Sequence, residues 1–383
     1  MIVSRVVLKN WRNFRNVDVS IGNRVFLVGP NAAGKSNFLD VFRFLRDVAK
    51  PGGGLQQSVL ERGGLSKIRC LAARQNPDVE IEVTLSDYSS TTPLWTYAIG
   101  IKQQQRGLHL PYIGYEKVTD RDRVIINRPD SDDSRDELRL TQTYLEQINA
   151  NQNFREIPRF FERITYMHLV PQLLRHPEAF SGPNISGDPF GRTFLETVAR
   201  TPVQTRRSRL HKIENALRIA VPQLKQLTDI KDENGVPHLE AIYEHWRSKG
   251  AKQREDQFSD GTLRLLGLLW SLLESDSLLL LEEPELSLNS AIVTKLPALL
   301  YQLQRQKKRQ IMTSTHSADL LRDKGIGGEE VFLLSPSQEG TTVMPASSMK
   351  QIRTLLESGL SVADAVLPHT APQHLEQLKL ELF

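Results

Sequence analysis

The sequence predicts an α/β nucleotide-binding fold with an insertion in its middle, and three observations predict it. A phosphate-loop pattern, Gly29-Pro30-Asn31-Ala32-Ala33-Gly34-Lys35-Ser36, follows a short apolar run and opens a helical one. Four leucines, Leu278 to Leu281, end on Glu282-Glu283-Pro284-Glu285, the pattern of a buried strand that carries carboxylates to its end. Between these two α/β ends lies a stretch with a different rhythm, first alternating and then helical, so the core is split along the chain.

In chain order, Ile2 to Leu8 and Val17 to Ile21 read as strands, and Val25 to Val28 as a short buried one. After the phosphate loop, Phe38, Leu39, Val41, Phe42, Leu45 and Val48 recur at helical spacing, and Pro51-Gly52-Gly53-Gly54 ends that helix. Val79 to Leu85 alternates, and Trp95 to Ile101, Leu108 to Tyr115 and Arg123 to Ile126 are further strands; the polar turns between them point to an antiparallel sheet. Helices dominate from about Leu138 to Leu227, for example Arg207 to Ala220. The last third returns to α/β, with Leu278 to Leu281 and Gln310 to Thr313 as buried strands and a helix around Ala291 to Gln304 between them. The expected division is 1–137 for the N-terminal part of the nucleotide-binding lobe with its β-subdomain, 138–255 for a helical lobe, and 256–383 for the C-terminal part. The lobes form one interwoven unit, not two beads on a linker.

Composition sets bounds. The 383 residues suffice for a buried nucleotide site, and 39% hydrophobic with 25% charged residues is ordinary for a soluble globular protein. A net charge of +4 permits nucleic-acid contact without requiring it. The single cysteine, Cys70, excludes an internal disulfide framework and fits a reducing cytoplasm. The most apolar stretch, Leu263 to Leu273, is too short to span a bilayer; no membrane partner and a cytoplasmic location are expected.

The chemistry follows from the motifs. Backbone N–H groups from Asn31, Ala32, Ala33 and Gly34 through Asn37 would wrap the phosphates of ATP at a helix N-terminus. Lys35 would reach the β- and γ-phosphates and Ser36 would ligate Mg²⁺. Glu282 would hold Mg²⁺ through water, and Glu283 would polarise the attacking water as general base. Phe258-Ser259-Asp260-Gly261-Thr262 precedes an apolar helix, where a serine and a glycine make either an N-cap or an anion site. His316, in Ser314-Thr315-His316-Ser317, follows a strand; a lone histidine there is more often structural, and it gains weight only from its position.

The order of phosphate loop, Ser-Asp-Gly signature, acidic strand and terminal histidine resembles ATPases of the ABC superfamily. It is most similar to their cytosolic branch, with the SMC and RecF proteins and the stand-alone or OLD-type ATPases of bacterial defence operons. Leu8-Lys9-Asn10-Trp11-Arg12-Asn13-Phe14 looks like the opening strand of that branch, where an arginine, here Arg12, approaches the nucleotide. The resemblance covers about residues 1–50 and 255–335. It implies an ABC-type ATPase head with an antiparallel β-subdomain and an inserted helical lobe. It implies a head-to-head homodimer enclosing two ATP molecules, in which Ser259 and Gly261 contact the γ-phosphate held by the other subunit, His316 senses that phosphate and Ser287-Leu288-Asn289 crosses the interface. A glutamine between the lobes couples Mg²⁺ to lobe movement in that family; Gln172 is the candidate and Gln75 the rival. Phe258-Ser259-Asp260-Gly261-Thr262 departs from the Leu-Ser-Gly-Gly-Gln of transporter ATPases. Glu282 stands where an aspartate is commoner, which puts turnover rate in question.

The resemblance implies slow hydrolysis that controls a separate effector, a nuclease or other toxic protein, in a two-component anti-phage or toxin-like system. The rivals are a RecF-like DNA-repair ATPase and an ATP-dependent oligomeric scaffold or sensor. Asp130-Ser131-Asp132-Asp133 contains a D-x-D, read here as a solvated loop, and no D-x-D follows His316, so no nuclease centre of its own is expected. The basic runs Thr205 to Lys212 and Arg305 to Arg309 could grip nucleic-acid phosphates but are read first as solvated helix faces.

Overall fold

The computed structural model describes residues 1–73, 77–90, 92–177, 188, 190–246, 250–275 and 277–371. The first three strands, β1 (Ile2–Trp11), β2 (Phe14–Ser20) and β3 (Arg24–Val28), divide between two sheets. β1 and β2 join β4 (Val79–Ser86), β5 (Pro93–Gln103), β6 (Pro111–Asp120) and β7 (Arg123–Arg128) in an antiparallel sheet ordered β2-β1-β4-β5-β6-β7. Alternation puts Val79, Ile81, Val83 and Leu85 on its buried face while Glu80 and Glu82 stand on the other. This is the β-subdomain expected from the sequence.

β3 lies in the central sheet with β8 (Thr165–Met167), β12 (Leu279–Glu282), β13 (Ile311–Ser314), β14 (Val331–Ser337) and β15 (Gly340–Pro345). The order is β15-β14-β3-β13-β12-β8, parallel except for β15. Both faces are covered, so the runs Val25 to Val28, Leu279 to Leu281 and Val331 to Leu334 are apolar at every position rather than at every second one. Val25 and Leu27 enter the core shared with the β-subdomain and the phosphate-loop helix Lys35–Ala49, while Phe26 and Val28 enter a second core under the helix Leu296–Lys307. Leu278 and Leu280 pair with the first core, Leu279 and Leu281 with the second.

The structure differs from expectation in three ways. Tyr144, Leu145, Phe154, Ile157, Phe161 and Ile164 pack into the first core, and β8 is part of the central sheet. The third core, that of the second lobe, is built from Leu169 onward, so residues 138–167 sit with the ATPase lobe. That second lobe is also not all helical. The helix Val203–Ala220 packs on an antiparallel sheet of β9 (Leu224–Lys231), β10 (Pro237–Tyr243) and β11 (Ala251–Arg254), whose mixed charge hides its alternation. Finally, the helix foreseen over Ala291 to Gln304 is two, Ser290–Val293 and Leu296–Lys307. Pro297 cannot donate back into the preceding turn and fits only in the first turn of a new helix.

Asp130 to Asp133 is not a solvated loop. Asp130 caps the short helix Ser131–Arg135, and Asp133 is fully buried, taking both arms of Arg128 at 2.8 and 2.9 Å. Glu116 accepts from the same guanidinium at 2.9 Å and from Tyr97 at 3.0 Å. Burial alone would raise the Asp133 carboxyl, but hydrogen bonds from Arg128, the Asp130 N–H and Arg139 hold it at about 2. These acids are bound to arginine and tie the β-subdomain together. Among the described residues no helix is long and apolar enough to cross a membrane.

Candidate active site

In the central sheet β13 lies between β3 and β12, so the segments leaving the carboxyl ends of all three converge. Open parallel sheets bind ligands at such ends. β3 leads into the phosphate loop, β12 into Glu282-Glu283-Pro284-Glu285 and β13 into Thr315-His316, with Glu282 level with Ser314 across the sheet. Local pattern therefore supplies each strand, and strand order assembles the site.

The loop is held by its neighbours. Gly34 has φ +95°, and a Cβ there would lie 2.1 Å from the Asn13 amide nitrogen. Asn13, on the β1–β2 turn, donates to the Ala33 carbonyl and to Thr341 Oγ1, both at 2.7 Å, and accepts from Asn37 Nδ2 at 2.9 Å. Lys35 is buried and donates to the Gly29 and Pro30 carbonyls at 3.1 Å, folded back over its own loop. Burial lowers its ammonium pKa, while Glu283, Glu282 and Glu285 oppose the shift. Asn31 and Ala32 are exposed and Ala33 buried, with Ala32 at φ +62°.

Ser36 Oγ donates to Glu282 Oε1, and the Tyr166 hydroxyl donates to Glu282 Oε2. A serine hydroxyl against a carboxylate oxygen is a hard-oxygen donor pair of the kind Mg²⁺ takes, so Ser36 and Glu282 fit that cation. Glu283 adopts φ +44° and faces His316, whose Nε2 lies 3.5 Å from Glu283 Oε1. Burial, joined by the Lys35 charge, lowers the His316 pKa against the pull of Glu283. Glu285 Oε1 accepts from Thr315 Oγ1 at 2.5 Å and from the His316 N–H at 3.2 Å, which fixes the turn that carries the imidazole.

Arg12 pairs with Asp40 of the phosphate-loop helix at 2.8 Å. Burial would raise the Asp40 carboxyl, but Arg62, Arg43 and Arg12 together hold it below the usual carboxylate range. Beside the loop, Arg12, Asn13, Ala32 and Asn37 line a cleft of about 550 Å³, together with Cys70 to Ala72 and Pro336 to Gln338.

The signature stands apart from this cluster. Ser259 is exposed and caps the helix Asp260–Glu274, its Oγ accepting from the Thr262 N–H at 3.2 Å. A Cβ on Gly261 would meet the Ser287 carbonyl at 2.7 Å, so only glycine lets the Ser287-Leu288-Asn289 segment pack this close. Gln172, foreseen near the metal, is exposed and turned to Asp260 Oδ2 at 3.5 Å. From that part of the chain the structure brings Tyr166 and His168 to Glu282 instead, His168 Nδ1 lying 3.4 Å from the Glu282 carbonyl. Gln75 lies outside the described residues. Sequence reasoning missed Asn13, Tyr166 and His168; only their adjacency to other motifs in the folded sheet marks them.

The basic runs are divided: Arg207, Lys212, Arg305 and Lys308 are exposed, while three other arginines are used inside the fold. Arg206 pairs with Asp229, Arg209 donates to the Glu274 carbonyl and lies over Trp270, and buried Arg309 donates to the Ser277 and Ser271 carbonyls.

A family described as "AAA domain, putative AbiEii toxin, Type IV TA system" matches residues 24–323, more than three quarters of the chain. The chain belongs to this family. It is an ATPase-type domain, and the match runs from β3 to just past His316, the span that carries the phosphate loop and both acidic and histidine turns. Over 67 residues it is 36% identical to the Endonuclease GajA of Bacillus cereus (strain VD045), a stretch that spans 18% of this chain and 12% of that protein. A solved SMC head bound to the C-winged helix domain of ScpA superposes with a TM-score of 0.52 at 12% identity, over 90% of this chain and 97% of that one. At that identity the likeness is one of fold, and it bears out the ABC-type head architecture read from the motifs.

Proposed function

We propose that the chain binds ATP with Mg²⁺ at the convergence of β3, β12 and β13, hydrolyses it slowly, and uses it to close a head-to-head dimer that controls a separate effector. The observation that carries the reading is the meeting of Ser36 with Glu282 and of Glu283 with His316 beside a buried Lys35. In this reading Lys35 leaves the Gly29 and Pro30 carbonyls for the β- and γ-phosphates, and the N–H groups of Asn31 to Ser36 close round them. Arg12 and Asn37 border the nucleoside. Mg²⁺ at Ser36 and Glu282 supplies charge neutralisation of the phosphate oxygens. Glu283 takes the proton of the attacking water, and His316, kept neutral by its surroundings, donates to the γ-phosphate.

Ser259 at an exposed helix start, and the Ser287-Leu288-Asn289 segment locked against Gly261, offer a face that a second copy completes. The family description and the stretch shared with a GajA endonuclease support a bacterial defence or toxin–antitoxin setting with a separately encoded nuclease or toxin as partner. With Arg206, Arg209 and Arg309 engaged internally, direct action on DNA has less support than the effector reading.

Glu283→Gln tests the proposal. It should bind Mg²⁺-ATP, shift to dimer mass in light scattering and release no phosphate, while Ser259→Arg binds but stays monomeric. Wild-type phosphate release by Glu283→Gln removes that residue as the base. A wild-type chain that assembles on ATP without any phosphate release would instead be a scaffold.

A further inference from the structure

Tyr166 has no role in nucleotide binding as just described, yet the site holds it from three sides. It sits on β8 in parallel register with Leu280, two residues short of Glu282 on the neighbouring strand, and is only 5% exposed. Its hydroxyl donates to Glu282 Oε2 while Ser36 takes Oε1. Its ring lies under the Arg43 guanidinium, 4.2 Å from the ring centroid. Arg43 is two turns beyond Ser36 on the same helix and is steadied by Asp40 at 3.7 Å. One helix thus supplies both the hydroxyl on one carboxylate oxygen and the clamp on the phenol that holds the other.

A glutamate at this position has one more methylene and one more rotor than an aspartate. Left alone, it could turn both oxygens toward a cation. Ca²⁺ accepts such bidentate carboxylates in a loose shell, whereas Mg²⁺ demands a small octahedral one and takes carboxylate oxygens singly. Building on the Mg²⁺-ATP reading above, we infer that Tyr166 is a positioning residue that occupies Glu282 Oε2 and leaves Oε1 alone to hold the cation's water, so that Glu282 cannot close on Ca²⁺ with both oxygens and the site selects Mg²⁺ over Ca²⁺. Tyr166 thereby compensates for the extra length of Glu282.

Tyr166→Phe keeps the ring under Arg43 and removes only the hydroxyl. ATP binding by calorimetry is measured for the full chain in EDTA, in Mg²⁺ and in Ca²⁺, a readout independent of turnover. The affinity in EDTA should match wild type, while the preference for Mg²⁺ over Ca²⁺ should fall about tenfold, the scale set by losing a hydrogen bond to a charged group. A preference within twofold of wild type overturns the inference. In a Glu282→Asp background the shorter carboxylate no longer reaches the phenol, so adding Tyr166→Phe should change nothing; a further shift in preference there also overturns it. Wild type that binds ATP equally with and without divalent cation would overturn the Mg²⁺-ATP reading itself, a result distinct from either of these.

Discussion

Removing the Asn13 side chain should loosen the phosphate loop without touching any group that contacts phosphate. Asn13→Ala deletes three hydrogen bonds, to the Ala33 carbonyl, to Thr341 Oγ1 and from Asn37 Nδ2. Asn37 is half-buried and can turn to water, but Ala33 and Thr341 are buried and their oxygens stay unpaired. At about 1–3 kcal/mol for each of the two unpaired buried groups, the loss of stability should be about 2–6 kcal/mol. Gly34→Ala alone should carry two penalties. The left-handed backbone at φ +95° costs an alanine about 1–2 kcal/mol, and its Cβ would displace Asn13 and break the same three bonds. In the Asn13→Ala background only the backbone term remains. Urea unfolding of wild type, both single variants and the double variant should therefore show the double less destabilised than the sum by about 2–6 kcal/mol. ATP affinity, measured alongside, should fall in each single variant because the loop is no longer pre-shaped. Additivity within about 0.5 kcal/mol would refute the claim that Asn13 and Gly34 are one contact.

Lys35→Ala should weaken ATP binding by roughly a hundredfold or more, since charge-assisted hydrogen bonds to phosphate are lost at a buried position; retained affinity in a direct titration would count against the phosphate-loop assignment. Asp133→Ala should cost about 3–5 kcal/mol in denaturant unfolding, because it leaves Arg128 buried beside Glu116 alone, and the distance of that cluster from the site should leave ATP affinity near wild type in whatever fraction stays folded. His316 titrates below its ordinary 6.5 in the folded chain. The unfolded chain therefore takes up its proton first as pH falls, and stability drops from about pH 6.5 downward until the folded imidazole protonates. His316→Gln should flatten that part of the stability-versus-pH curve, and an unchanged slope would argue against a depressed imidazole.

What could be read from the residues alone was what depends on neighbours in sequence. Gly29 to Ser36 and the leucines before Glu282 declare a loop and a strand by their own pattern, and the β-subdomain by its alternation. Tyr166 and Asn13 could not be found that way. Tyr166 meets Glu282 only because β8 docks beside β12 in parallel register, and Asn13 meets Ala33 only because the β1–β2 turn folds over the loop. The second-lobe sheet was hidden for a different reason. β9, Leu-Lys-Gln-Leu-Thr-Asp-Ile-Lys, has little of the β-branched, period-two pattern that marks a strand, and its burial comes from the helix Val203–Ala220 laid upon it. Asp133 was misplaced because an acid in a polar run usually faces water, and nothing local reveals that Arg128 awaits it inside.

The strap at Asn13 also carries a consequence for how the protein is born. Asn13 Oδ1 and Nδ2 gather the phosphate loop, yet Nδ2 shares its hold with Thr341, 328 residues further along the chain, and Gln310 fastens Val3 and Gly22 across a similar separation. At roughly 5–20 residues per second, a ribosome spends on the order of a quarter of a minute to a minute between making the loop and making its last support. During that interval a nascent chain displays Lys35 without the wall that shapes its cradle. On the proposed reading, a chain not yet translated through β15 carries the phosphate-loop motif without the Thr341 contact that helps to shape it, and should hold nucleotide less tightly.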